Sequence, residues 1–498
     1  VGGGEHNTAS GDLATVGGGD GNVASDLYAI VGGGASNEAG GYGATVAGGI
    51  TNTATMTGTA IGGGSDNAIM ATYGIIGGGS GNFIMATYGT IGGGSANLIT
   101  ATYGTIGGGH NITVTGQYAV VGGGEDNAVS GDYATVGGGG GNTVSSYYAT
   151  VGGGKDNTAG APAATVGGGT DNAAGPLAAV GGGEHNTANG DWATVSGGSW
   201  NTANGLYAAV GGGENNAASS DYATVGGGEN NTASGERATV GGGENNTASG
   251  WGATVPGGGS NTAAGDYSFA AGISAKANHA GAFVWGDSTD ASINSPADNT
   301  FIVRANGGIW FGKTTTDITP TIGTNVFIST STGAYLSTGG VWTDKSDRNS
   351  KENFEPVDPA EVLEGVVQLP ITTWNYKAED DSIRHLGPVA QDFYAAFGLG
   401  ADDRHIAPLD ASGVALAAVQ GLYQQNRELR GENEALRAQL ADQQAQIDAL
   451  SARLAALEEG REASSARQAA LPAGGLLLVA VSAVMLARPR HRFWSDES

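Results

Sequence analysis

A fifteen-residue repeat runs through the first half of the chain and limits what it can fold into. The motif V/I-x-G-G recurs from Val1, Val16, Val31 and Val46 through Ile61, Ile76, Ile91 and Ile106 to Val255, with one 14-residue step from Val166 to Val180. That makes eighteen repeats, and the fullest form is VGGGENNTASGERAT at Val225–Thr239. A unit this short buries almost nothing alone, so the units must stack into a continuous core. Short alternating pieces such as Ala-Thr-Val and Asn-Thr-Ala-Ser predict strands of three or four residues with Gly-rich corners between them. Ala238 and Val240 then share the inner face, with Thr239 on the outer one. At about 4.8 Å per stacked strand, eighteen coils give a rod of roughly 85 Å.

Two positions within the unit recur with chemistry of their own. An Asn lies six residues after the aliphatic, as in Asn7, Asn22, Asn67, Asn127, Asn186 and Asn231, and Asn111 departs by lying five residues on. Its amide can satisfy backbone groups at a corner and bond the Asn of the next coil. A Tyr recurs at the twelfth offset (Tyr28, Tyr73, Tyr88, Tyr103, Tyr133, Tyr222), where it packs on its neighbour or, with Trp192, Trp200 and Trp251, stacks on sugars. Asp and Glu read as solvated corners. No dense oxygen-ligand loop recurs around pairs such as Asp126-Asn127, so neither a metal nor any other cofactor is expected.

Gly is 94 of 498 residues, without the one-in-three period of collagen. Such a chain loses more conformational freedom on folding than most and needs ladders or partner chains to offset it. The net charge is −27, and Lys155 and Arg237 are the only Lys or Arg before residue 270, which argues against a nucleic-acid partner. There is no cysteine, hence no disulfide framework and no thiolate metal site. The chain opens in mid-pattern at Val1, so a signal peptide is expected to lie outside this sequence.

The repeat resembles the head repeats of trimeric autotransporter adhesins (YadA-like), which implies a parallel β-roll or β-helix over residues 1–265 in a mainly β chain. Residues 266–345 read as a β-rich neck, with the aromatic and β-branched stretches DYSFAAGISAKANHAGAFVWGDS and FIVRANGGIWFG. His279 has no metal-ligand partner at suitable spacing and is read as structural. Arg304 and Lys313 are expected to find ion-pair partners.

Residues 346–418 carry the closest likeness. SDRNSKENFEPVD, ITTWNY and RHLGPVAQDF, followed by a closing helix, resemble the C-terminal intramolecular chaperone domain of endosialidase-type tailspikes. That resemblance implies a small α/β domain that trimerises, templates the fibre ahead of it and cleaves the chain at its own first serine. The implied catalytic pair is Ser346 and Lys351. A serine hydroxyl is a poor nucleophile until a base takes its proton. A lysine serves only when neutral, which requires its usual pKa of about 10.4 to fall towards 7 through burial. Ser346 then attacks the carbonyl of Lys345, and water resolves the ester. The bland alternative is a turn-capping Ser346 and a solvated Lys351. Asp347, Arg348 and Asn353 read as structural companions, and His385 as a packing or backbone-bonding residue.

Residues 419–460 form a heptad helix with Val419, Asn426, Asn433, Leu440, Ile447 and Leu454 at a and Leu422, Leu429, Leu436, Gln443, Leu450 and Leu457 at d. This predicts a coiled coil, and the family implies three strands. A polar linker, 461–470, leads to the apolar run 471–487, about 25 Å as helix and at the lower edge of a membrane span. Arg488, Arg490 and Arg492 in the tail 488–498 place that end inside the cell. Leu471-Pro472-Ala473-Gly474-Gly475 with the apolar run also resembles a surface-sorting signal. The expectation is a homotrimeric, adhesin-like surface fibre, C-terminally membrane-anchored and able to autocleave between Lys345 and Ser346, with a host, cell-surface or glycan ligand. The alternatives are a phage-type tail fibre or tailspike that binds or degrades polysaccharide, and a fibre shed by self-cleavage.

Overall fold

The computed structural model describes residues 1–312 and 322–468, in two units, Val1–Ser329 and Thr330–Ser498. The first unit is a parallel β-solenoid. In the coil that begins at Val225, strand Thr224–Val225 pairs with Thr239–Val240, and Thr232–Ala233 pairs with Thr247–Ala248. A third row consists of single-residue parallel bridges, Glu214 to Glu229 to Glu244. The register is 15 residues through the array except at one short coil, where Thr165 pairs with Ala179, Thr170 with Glu184 and Ala173 with Thr187.

The strands are two residues long, not three or four. Each coil holds non-glycine residues at left-handed backbone angles, such as Asn230 at φ 55° and Arg237 at φ 60°, and these interrupt the extended backbone. That conformation costs an L-residue on the order of 1 kcal/mol. The hydrogen bonds show what offsets it. Strand residues donate onward, Thr224 N to Ala238 O and Gly226 N to Val240 O, whereas Asn230 N and Arg237 N donate back to Glu214 O and Asp221 O. The left-handed residues therefore tie each coil to the one before it, leaving few backbone groups unpaired. Gly228, at φ 90°, marks a close approach of two coils: a Cβ there would overlap Gly243 O.

The inner face follows the predicted alternation, with Ala238 and Val240 fully buried. The asparagines form the expected ladder. Asn231 Nδ2 donates to Gly227 O and Gly243 O at 2.9 and 2.8 Å, and its Oδ1 accepts from Asn246 N at 3.1 Å. Buried amides are tolerated because their donors and acceptors are met. One coil breaks the ladder: Ile112 is buried at that position, while Asn111 turns outward to Asp126 at 2.6 Å.

Side-chain volume is balanced across the core. Where the inner strand residue is Ile69, Ile84 or Ile99, the opposing position is Gly74, Gly89 or Gly104, and where it is Val114 that position is Ala119. A Cβ at Gly89 would lie 2.7 Å from Ile84 Cγ2 and 3.3 Å from Ile99 Cγ2. Gly89→Ala is expected to destabilise the solenoid by about 1–3 kcal/mol through overpacking. The double change Gly89→Ala, Ile84→Val, which recreates the Val114/Ala119 pairing, is expected to recover part of that loss in thermal denaturation.

The solenoid does not end at residue 265. Phe269–Ile273 pairs in parallel with Phe283–Gly286, which pairs with Phe301–Arg304, so coils of 14 and then 18 residues continue the stack. Backbone pairing, not the glycine motif, defines the coil, and Phe269, Phe283 and Phe301 stack at 4.7 and 4.8 Å along it. His279 is held structurally, with Nδ1 2.8 Å from Ser295 Oγ. Arg304 finds its partner, Nε to Asp287 Oδ1 at 2.8 Å, and also donates to the carbonyls of Ala291 and Thr289. Lys313 lies outside the described residues.

Asn306 N donates to Asp287 Oδ2, and with Thr289 and Arg304 it holds the Asp287 carboxyl well below the usual carboxylate range. A depressed carboxylate stabilises the fold above its unfolded pKa, and the contribution fades as pH falls through the acid range. Asp287→Asn is therefore expected to lower the melting temperature at pH 7, with the difference from wild type shrinking below about pH 4.

In the second unit, strands Tyr335–Ser337 and Trp342–Thr343 form an antiparallel hairpin. Helix α1 (Pro359–Gln368) follows, then the hairpin Thr372–Trp374/His385–Gly387, α2 (Ala390–Phe397) and α3 (Pro408–Gln468). Asp358 caps α1 through Ala360 N, and Gly398, at φ 64°, closes α2. Helix α3 has 61 residues and runs through 461–468, expected as a linker, because no proline interrupts it before Pro472. Among the described residues no helix is long and apolar enough to cross a membrane. The segment 471–487 and the tail 488–498 lie outside them.

Candidate functional site

The sequence around Ser346 folds back on itself within six residues. Asp347 caps a short 3-10 turn, Arg348–Ser350, accepting from Asn349 N at 2.9 Å, while Ser350 Oγ donates to Asp347 O at 2.8 Å. Lys351 N closes the turn on Arg348 O at 3.2 Å. This reversal carries the lysine side chain back over the serine, and Lys351 Nζ donates to Ser346 Oγ at 2.7 Å. The two predicted residues are thus brought together by a turn whose cap is local and self-contained.

The companions sort by role. The Arg348 guanidinium lies 4.7 Å from the Phe354 ring centroid, and Asn353 takes φ 57°. On the upstream side, Trp342 Nε1 donates to Asp344 Oδ1 at 3.0 Å. In a single chain every residue from Asp344 to Asp358 is exposed. The Lys351 Nζ–Ser346 Oγ contact therefore lies in a solvent-exposed turn.

Elsewhere in the unit, His385 takes the packing role expected of it, together with a carboxylate partner. Its Nε2 lies 2.9 Å from Glu379 Oε2, and its ring stacks on Trp374 at 4.8 Å. The Glu379 partnership was not legible because the two residues meet only when the hairpin closes. The helices pack through glycines. A Cβ at Gly421 on α3 would overlap Pro359 O, and one at Gly365 on α1 would lie 2.8 Å from the Phe397 ring.

Very little of this unit is buried. Among its described residues, the buried apolar side chains are Phe393, Val414 and Ala418. The heptad residues Val419, Leu422, Leu429, Leu436, Leu440, Ile447, Leu450, Leu454 and Leu457 are all exposed. A segment of this size ordinarily buries well over half of its surface.

Residues 346–398 match the family described as chaperone of endosialidase. The match begins at Ser346 and ends at Gly398, so this chaperone-type segment holds the dyad turn, α1, the hairpin and α2. The chain therefore joins a long parallel β-solenoid to a segment that matches the chaperone-of-endosialidase family, a combination that fits a phage-type tail fibre or tailspike. No curated protein matches the chain.

Proposed function

We propose that the chain is the subunit of a homotrimeric extracellular fibre whose C-terminal segment assembles it and then cuts it. The observation that carries this reading is the uncovered stripe of heptad residues on α3, in a unit with three buried apolar side chains among its described residues. Three copies of α3 would cover the stripe on one another, in the geometry that a/d repeats favour. Three is the number implied by the resemblance to endosialidase-type chaperones.

Assembly would also bury the surroundings of Ser346 and Lys351 and so favour the neutral lysine. Lys351 Nζ then takes the hydroxyl proton, and Ser346 Oγ attacks the carbonyl carbon of Lys345 through a five-membered ring. The Lys345–Ser346 C–N bond breaks, its nitrogen leaves as an amine after accepting a proton, and an ester remains. Water adds to the ester, releasing a chain that ends at the Lys345 carboxylate and restoring the Ser346 hydroxyl. Cleavage coupled to burial acts as a check on assembly.

The test is sedimentation of the full chain together with a denaturing gel. A trimer and a fragment ending at Lys345 are expected, and a stable monomer would sink the reading. A second setting, a cell-anchored adhesin-like fibre, is favoured by the apolar run 471–487 with Arg488, Arg490 and Arg492 behind it. There, cutting at Ser346 would separate the solenoid from its anchor. Loss of viscosity on incubation with a polysaccharide would instead mark a degrading tailspike.

A further inference from the structure

Between Glu38 and Glu125, Asp66 is the only Asp, Glu, Lys or Arg side chain. The coils before this belt carry Glu5, Asp12, Asp20 and Asp26, and those after it carry Glu125, Asp126 and Asp132. The belt exposes apolar side chains at one corner of successive coils: Met70, Tyr73 and Ile75, then Met85 and Tyr88, then Tyr103. From Tyr73 to Tyr148 the column of rings stacks at centroid distances of 4.7–5.1 Å and interplanar angles of 3–13°. Rings stacked in this way cover one another's faces and present their edges. A ligand that stacks on an aromatic needs a free face, so within the column a flat protein surface fits better than a sugar ring.

We propose that this nearly uncharged belt, with Asp66 its one charged side chain, is the seam along which copies of the solenoid touch one another in the fibre, a proposal that rests on the trimer reading above. The charge pattern selects the occupant. In a parallel symmetric assembly each residue lies level with its own copies. Acidic coils then face acidic coils and repel, in a chain whose net charge is −27. Belt faces belt with Asp66 alone to repel, and its methionines and tyrosine edges supply apolar contact. About six coils at ~4.8 Å each make a strip under 30 Å tall. Such a strip is of the size of an ordinary monomer's largest apolar patch, about 300–600 Å². A standard interface takes about 800 Å² per partner. Untethered solenoids would not hold, whereas copies joined at α3 meet at an effective concentration on the order of millimolar.

The chain has no cysteine, so introduced thiols report on a clean background. In a full-length Ser346→Ala background, Met85→Cys is compared with Ser219→Cys, an exposed residue at the same corner of an acidic coil. Each is treated with a short bis-maleimide, and its mass is measured by sedimentation. The expected result is a trimer in both, with covalent dimers from Met85→Cys at least tenfold more abundant than from Ser219→Cys. Adding Tyr88→Glu to the Met85→Cys chain is expected to cut that yield at least tenfold while circular dichroism and the trimer mass hold. A trimer with no cross-link at Met85, with equal yields at both positions, or with a yield indifferent to Tyr88→Glu would overturn the seam. A monomer in every variant would remove the trimer reading and this proposal with it.

Discussion

Ser346→Ala and Lys351→Ala are each expected to leave the full chain intact on a denaturing gel where wild type yields two fragments, a rate loss of at least about 10³-fold. The expectation follows from the 2.7 Å contact between Lys351 Nζ and Ser346 Oγ. Removing the hydroxyl removes the oxygen that closes a five-membered ring on the Lys345 carbonyl. Removing the amine leaves the hydroxyl protonated at neutral pH, where it attacks poorly. Lys351→Arg separates catalysis from structure. Arginine keeps the charge and can still donate to Ser346 Oγ, so a purely structural contact survives it. It does not lose its proton in proteins, so a base does not survive it. Cleavage by the Arg variant at the wild-type rate would rule out the lysine as base. Intact trimer mass in all three variants would show that assembly precedes the cut.

The second large effect is expected from Leu429→Lys combined with Leu436→Lys. Both side chains are exposed in the single chain, so neither change removes a contact within it. Across three copies the double change withdraws six buried leucines, roughly 10 kcal/mol or more per trimer at about 1.5–3 kcal/mol each. It also sets lysines side by side in the seam, which adds repulsion. The variant is expected to sediment as a monomer with its helical signal only partly reduced, and to stop cleaving. A monomer that still cleaves at the wild-type rate would break the link between assembly and chemistry. A trimer unaffected by the double change would place the contact surface elsewhere than on the a/d stripe.

Much of this architecture could be read from residue spacing. The period of the V/I-x-G-G motif states that coils stack, and the Asn six residues on states that a corner must be satisfied by an amide. Both follow from local chemistry repeated along the chain. The balance of volume between Ile84 and Gly89 has no such motif, since the two are complementary only once the coil brings them face to face. Strand length was not legible, because it depends on where the backbone turns left-handed. Residues as unlike as Tyr73, Arg237 and Asp126 all adopt that conformation, and none signals it by type. The extent of the solenoid was hidden for a different reason. Phe269, Phe283 and Phe301 continue the stack at changed spacing, so a search for period 15 stops before them.

At the candidate site, Ser346 and Lys351 were nameable because the segment resembles a known chaperone, and their spacing permits one tight turn. That Asp347 caps this turn, and so delivers the amine to the hydroxyl, emerged from the fold. Likewise, the heptads of α3 announced an apolar stripe, and the structure decided that nothing among the described residues covers it. By itself the sequence determined the elements whose cause is local: repeat period, amide ladder, heptad phase and the five-residue step from Ser346 to Lys351. The tertiary structure decided what depends on residues distant in sequence meeting: where the stack continues past its motif, which glycine answers which isoleucine, and which apolar faces remain open. The physical reason is that periodicity and turn chemistry act over a few residues, whereas burial is a property of the whole packed chain.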